Sequence, residues 1–290
     1  MPNNIALAKN YTDLLDEVYR KASVTANLAG DPKMVRAGAN ANEILYPQIK
    51  VTGLGDYSRN SGYTNGAVDL AWKTAQFNYD RGTKLSVDAM DDQESFDIAF
   101  GMAGATLQRE KVAPEADAFT FATLAGTDGI SKATPATYTD AIEFLKALLE
   151  AKTKMDEDEV PEEGRILYAT PTLLNGVMAL DTTKSREVLS AFTEKISTPQ
   201  ARFYTAIDLL DGKSDGEELG HYKKAESGKD INFMIIHKSA IIKHDKHVTS
   251  SIISPENNEN SDAYIAKYRK YGIVDVYKNK VAGIYLSHKA

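Results

Sequence analysis

Between Val68 and Leu107 the apolar pattern of this chain changes period, and that change limits the folds open to it. Val68, Leu70 and Trp72 alternate with Asp69, Ala71 and Lys73, the two-residue repeat of a strand with unlike faces. The phase slips near Phe77 and Tyr79, which predicts a bend or bulge. Asp80-Arg81-Gly82 reads as a turn, and Leu85 and Val87 alternate into a return strand. From residue 92 the spacing becomes helical. Phe96, Phe100, Ala103 and Leu107 lie on one face of a helix over residues 92–113, about 30 Å long. Pro114 interrupts it. Pro-Glu-Ala-Asp then reads as a fresh first turn, with proline early and acids at the positive end of the helix dipole, running to Leu124.

Ahead of the alternation stands QIKVTGL, a short strand, and then GDYSRNSGYTNGA, residues 55–67, with turn chemistry throughout. Residues 48–89 therefore read as a long hairpin-like excursion with a glycine-rich tip. An isolated two-stranded ribbon is marginal in water, so it must lie on its own domain or on another subunit. Its tip offers Tyr57, Arg59 and Tyr63 for contact, and Trp72, Phe77, Tyr79 and Arg81 follow as interface or cross-strand residues. Toward the N-terminus, Tyr11, Leu14, Leu15, Val18 and Tyr19 mark a helix over residues 5–22. Residues 23–47 are small and polar and read as an extended arm, with Pro47 holding Tyr46 away from helical geometry.

The second half is mixed. Ile142, Leu145, Leu148 and Leu149 predict an amphipathic helix over residues 137–156, ended by the solvated acidic loop DEDEVPEEG. RILYAT reads as a strand, and Pro171 starts a short helix. DGKSDGEELGHYKKAESGKD is an expected exposed loop, and INFMII a strand of the fully buried kind. HVTSSII, RKYGIVDVYKN and VAGIYLS complete the chain, the last two as a hairpin turning at Asn279-Lys280. Helices and strands in this irregular order make an α+β protein.

Catalytic signals are thin. There is no cysteine, so disulfides and thiolate sites are excluded. AGTDGISK lacks the Gly-Lys-Ser/Thr ending of a phosphate-binding loop, and no serine sits in a Gly-x-Ser-x-Gly elbow. His244 and His247 stand three apart, a spacing that sends two rings to opposite faces of a strand. Asp91, Asp92 and Glu94 read as charges at a helix start. The sequence thus assigns no catalytic residue, no cofactor and no metal, and an enzyme is disfavoured. With 34 basic and 41 acidic residues the formal charge is −7, against a dedicated nucleic-acid binder. No stretch approaches the roughly 20 apolar residues that span a membrane.

The order of these parts resembles the tailed-bacteriophage major capsid proteins of the Hong Kong 97-like fold, over nearly the whole length. Residues 1–47 correspond to an N-terminal arm. Residues 48–91 correspond to the extended loop, closed by YDRGTKLSVDAMDDQES, and residues 92–135 to the spine helix, with VAPEADAF as its extension, and the peripheral domain. Residues 136–236, with RILYATPTLL, resemble the axial domain. Residues 237–290 resemble return strands, mainly peripheral; INFMIIHKSAI, which begins at Ile231, followed by AYIAKYRKYGIVDVYKNKVAGIYL, resembles the closing strands. The resemblance implies a homo-oligomer: hexamers and pentamers closing an icosahedral virion shell around double-stranded DNA bound without sequence specificity. It also implies assembly in the bacterial host cytoplasm, with a portal. Only a short helix precedes the arm, so a separate scaffolding protein is expected. The loop tip carries Asn60 and Asn65 but no lysine, so no covalent cross-link between subunits is expected, and a subunit ladder on a denaturing gel would refute this. An encapsulin-type nanocompartment shell around a cargo enzyme is the alternative.

Overall fold

The computed structural model describes residues 22–29, 36–37, 42–60, 62–94, 98–180 and 182–290. The helix expected over residues 5–22 lies outside them, apart from its last residue. The strands, in chain order, are β1 (Arg36–Ala37), β2 (Glu43–Val51), β3 (Val68–Gln76), β4 (Tyr79–Asp88), β5 (Ser131–Lys132), β6 (Arg165–Ala169), β7 (Glu194–Ser197), β8 (Ile207–Leu209), β9 (Tyr222–Lys224), β10 (Ile231–His237), β11 (Ile241–Ile253), β12 (Ala263–Val276) and β13 (Ile284–His288). The helices are α1 (Ala89–Glu94), α2 (Ile98–Leu107), α3 (Ala113–Ala125), α4 (Ala141–Glu157), α5 (Pro171–Ala179) and α6 (Thr183–Ser190). This is the mixed helix-and-sheet architecture the sequence predicts.

A five-stranded sheet, β5-β13-β10-β6-β7, organises the second half. All seven residues of β10, INFMIIH, are buried, which explains the unbroken apolar run. Phe233 and Ile235 face α4, whose Phe144, Leu148, Ala151 and Met155 form one buried stripe. Asp140 caps that helix by accepting from the Ile142 N–H. Met234 and Ile236 face the other way, onto Phe121 and Leu124 of α3. The acidic stretch expected to be a solvated loop begins inside α4 and is partly engaged, for Asp156 in the last turn pairs at 2.7 Å with the fully buried Arg165.

Three expectations fail here for physical reasons. Pro114 does not interrupt the long helix. A π-helical turn, Gln108–Val112, joins α2 to α3 with helical backbone at Leu107, Val112 and Ala113. Proline lacks an N–H and crowds the carbonyl four residues back, and the wider turn accommodates both defects. Helix therefore runs from Ile98 to Ala125, about 40 Å at 1.5 Å per residue.

Asp80-Arg81-Gly82 is not a turn, because it lies inside β4. β4 does not return along β3. It pairs antiparallel with β12, from Asp88↔Ala263 to Tyr79↔Gly272, at the edge of the sheet β11-β12-β4. Gly82 is needed for closeness, since a Cβ there would stand 2.8 Å from the Tyr268 carbonyl oxygen. The reversal comes at Phe77-Asn78, where the Asn78 amide donates to the Val274 carbonyl at 2.8 Å and accepts its N–H at 3.1 Å.

The last two strands form no hairpin. β12 belongs with β11 and β4, while β13 pairs with β10 and β5, so the Asn279-Lys280 region carries the chain from one sheet to the other.

Candidate assembly surface

β2 and β3 form the ribbon, pairing from Glu43↔Gln76 to Val51↔Val68. At its base Ile44, Tyr46 and Ala75 are buried against Ile242 and Ile273. Farther out the two faces exchange character. Pro47, Ile49 and Val51 stand opposite Trp72, Leu70 and Val68. These make one apolar face in solvent, Ile49 61% exposed and Val68 72%. Gln48, Lys50, Asp69, Ala71 and Lys73 form the other face. Two-residue alternation thus predicts the grouping of Val68, Leu70 and Trp72, and the structure exposes all three side chains. Pro47 fits inside β2 because of register. Asn42 and Thr52 hold the ladder bonds to Phe77 and Ala67, so even-numbered residues of β2 face β3 and the Pro47 nitrogen points away.

The tip, residues 52–67, is closed by Thr52 bonding to Ala67 and by a bridge between Ser58 and Gly62. Gly62 has φ +77°, which disfavours any side chain. The Tyr57 and Tyr63 rings meet edge to face at 4.9 Å, and Arg59, between them in sequence, is exposed. The sequence-selected residues therefore divide. Tyr57, Arg59 and Tyr63 cluster at the tip and Trp72 belongs to the apolar face. Phe77 stacks on Tyr271 at 4.8 Å beneath the Lys246 ammonium.

Tyr79 and Arg81, expected among contacts to a neighbour, spend their groups inside their own chain. Tyr79 is 5% exposed, and its hydroxyl donates to Glu115. Arg81 donates to both Glu115 oxygens, at 2.7 and 3.2 Å, and to the His221 carbonyl. The reason is that β4 lies over the long helix instead of returning along the ribbon. Burial alone would raise the Glu115 carboxyl. His221, Arg81 and Tyr79 outweigh it and hold the group below the usual carboxylate range.

Sequence reasoning missed a second site altogether. Residues 22–29, expected in an extended arm, are embedded at the junction of α3, β11 and the central sheet. Asp117 is fully buried and accepts from the Ser23 hydroxyl, the Val24 and Thr25 N–H groups, the Thr25 hydroxyl and Arg202. Lys243 donates to the Thr25 carbonyl at 2.9 Å and its hydroxyl oxygen at 2.6 Å. Burial pushes the Lys243 amine down to about 8. Leu28, wholly buried, and Asn27, bonded to the Tyr168 hydroxyl, complete the anchor. The available signal was Asp117, which with Glu115 is one of two acids in the otherwise small and apolar APEADAF.

The histidine spacing also misleads. A bulge at Lys246 shifts β11, so His244 pairs with Ile273 and His247 with Tyr271, on one face. Among the described residues no group of three or more ligand side chains could hold a metal. No helix among them is long and apolar enough to cross a membrane.

With this geometry in hand, the molecule can be set beside known proteins. No protein-family model and no curated protein matches the sequence. Solved structures do match. The virus-like particle of Pyrococcus furiosus aligns with a TM-score of 0.59 at 11% identity, over 97% of this chain and 99% of that one. The capsid of Cyanophage P-SCSP1u aligns at 0.58 and 12%, over 93% and 88%. The mature capsid of bacteriophage PhiM1 aligns at 0.58 and 11%, over 86% and 82%. The chain has a capsid-protein fold. Such coverage means that the capsid fold here includes ribbon, long helix and both larger sheets, not one shared motif. At this identity the likeness concerns the fold alone.

Proposed function

We propose that this chain is a phage major capsid protein, self-assembling into hexamers and pentamers of an icosahedral shell that encloses double-stranded DNA. The observation that carries the reading is the exposed apolar face of the ribbon, Ile49, Val51, Val68 and Leu70 with the partly exposed Trp72, on a chain of capsid fold. An apolar ribbon face in water is unfavourable by roughly 25 cal/mol for each Å² exposed, and a repeated neighbour removes that cost in every copy. A separate scaffolding protein, a portal and assembly in the host cytoplasm belong to the same reading. Arm, tip and ribbon reach over neighbours, with Tyr57, Arg59, Tyr63 and Trp72 as the contacts. No catalytic step is assigned to it. The test is cryo-electron microscopy of the expressed protein: closed particles are expected, and protein that stays monomeric across concentration and salt overturns the proposal.

The second reading, a nanocompartment shell around a cargo enzyme, draws on the near-complete coverage of the Pyrococcus furiosus virus-like particle. Nuclease-protected DNA in native particles supports the first reading, and enclosed protein without DNA the second.

A further inference from the structure

Two Asn-Gly pairs stand in the chain, Asn65-Gly66 and Asn175-Gly176. Such a pair can rearrange without an enzyme, because glycine leaves its backbone nitrogen unshielded and its dihedrals free. Both asparagines are exposed, so access to water does not separate them. Their backbones do. Asn175 lies inside α5, where the helix ladder ties the Gly176 N–H to the carbonyl four residues back. Helical dihedrals also keep that nitrogen away from the Asn175 side chain. Gly176 packs on α4 as well, since a Cβ there would stand 3.5 Å from that of Ala141. Asn65 and Gly66 belong to no helix or strand. Thr52 holds Ala67 on one side of them, and the bridge between Ser58 and Gly62 closes the other. Residues 63–66, in between, make no hydrogen bond among the described residues. The Gly66 nitrogen is thus released from every backbone ladder, and the Asn65 amide beside it is unpaired.

We propose that Asn65 is a self-modification site, converting to aspartate and isoaspartate in the folded protein while Asn175 persists. Hydroxide removes the Gly66 N–H proton, and that nitrogen bonds to the Asn65 Cγ. The bond from Cγ to the side-chain nitrogen breaks, and that nitrogen leaves as ammonia with a proton from water. The cyclic imide so formed takes up water. Attack at Cγ restores the main chain and leaves aspartate. Attack at the Asn65 carbonyl carbon leaves the main chain running through Cγ, as isoaspartate. Nothing is oxidised or reduced. The consequence is first electrostatic: Asp56 and Arg59 are the charged residues of 52–67 and cancel, so the product makes the tip acidic. It is also geometric. The isoaspartyl link lengthens the main chain inside the span pinned at Thr52–Ala67 and Ser58–Gly62, beside the paired rings of Tyr57 and Tyr63. The reaction needs only the single chain, so it stands apart from the shell reading.

The experiment follows both pairs in the full-length chain. Native protein and protein unfolded in guanidinium chloride are incubated for days at mildly alkaline pH, with samples taken from time zero. Trypsin releases residues 60–73 and 166–184, and tandem mass spectrometry places the amide-to-acid mass gain within each. In the unfolded chain both pairs are expected to convert at similar rates. In the native chain Asn65 is expected to convert about tenfold or more faster than Asn175, whose helix must open locally before it can react. Native Gly66→Ala is expected to slow conversion at Asn65 by about tenfold, because a Cβ shields the attacking nitrogen. Native protein in which Asn65 persists while the unfolded chain converts overturns the proposal. So does equal conversion of Asn65 and Asn175 in the native state. Unchanged conversion in Gly66→Ala overturns the assignment of the Gly66 nitrogen as the attacking group.

Discussion

The anchor around Asp117 and the ribbon of β2 and β3 invert the usual rule in opposite directions. The anchor buries two charges, Asp117 and Lys243, with a threonine and a serine hydroxyl, and links them through Thr25, with the half-buried Arg202 bonded to Asp117. The ribbon holds Ile49, Leu70 and Trp72 in water. Burying polar groups is tolerable when each finds a partner, and the anchor finds them inside one chain. Exposing apolar groups is tolerable when another surface covers them, and among the described residues Ile49, Val51, Val68 and Leu70 stay more than half exposed. The first region is finished on folding; the second is unfinished, and the shell reading completes it.

The sharpest break in that comparison is Asp117→Ala. It strands Arg202 and Lys243 and leaves the Val24 and Thr25 N–H groups without their acceptor, so a loss of about 3–5 kcal/mol is expected in urea unfolding of the dissociated subunit. Glu115→Gln, which weakens the link from β4 to the long helix, should cost about 2 kcal/mol at pH 7. Because the folded carboxyl titrates below its ordinary value of 4.5, this contribution is present above that pH and disappears as pH falls through the folded value. Wild type and variant should therefore converge in acid.

Lys243 runs the other way. Its folded amine releases the proton near pH 8, well below its ordinary 10.5. Between those values the unfolded chain binds more protons, so stability rises with pH. From pH 8 to 9.5 wild type should gain about 1–2 kcal/mol relative to Lys243→Met, measured by paired unfolding curves. The smallest effect on folding belongs to the ribbon. Arg59→Ala and Trp72→Ala should each leave subunit stability within about 0.5 kcal/mol, yet impair particle assembly seen by electron microscopy. Normal particles from either variant would remove that residue from the interface.

Periodicity reports local faces well. It places Phe144 and Leu148 on a helix, Val68 and Trp72 on one side of a strand, and β10 in the interior. It is silent on choices made by distant residues. β4 leaves its apparent hairpin because β12, some 180 residues later, offers a longer ladder. Pro114 stays helical because the five residues before it widen the turn. Ser23 and Thr25 look like linker chemistry until Asp117 and Lys243 are brought to them. Tyr57, Arg59, Tyr63 and Trp72 were legible as a group with little to bury at home. Tyr79 and Arg81 were not separable from them, since Glu115 lies in another element.

Asn78 has a mechanical consequence. One side-chain amide, held to Val274 from both ends, pins the ribbon's turn to the body beside the packed base of Ile44, Tyr46 and Ala75. Nine strand residues at about 3.3 Å each put the far end roughly 30 Å away. A tilt of about 10° at this pivot would move that end by about 5 Å, close to one strand spacing. The reach of the molecule is thus governed by a lever whose fulcrum is Asn78 and the small packed cluster beside it.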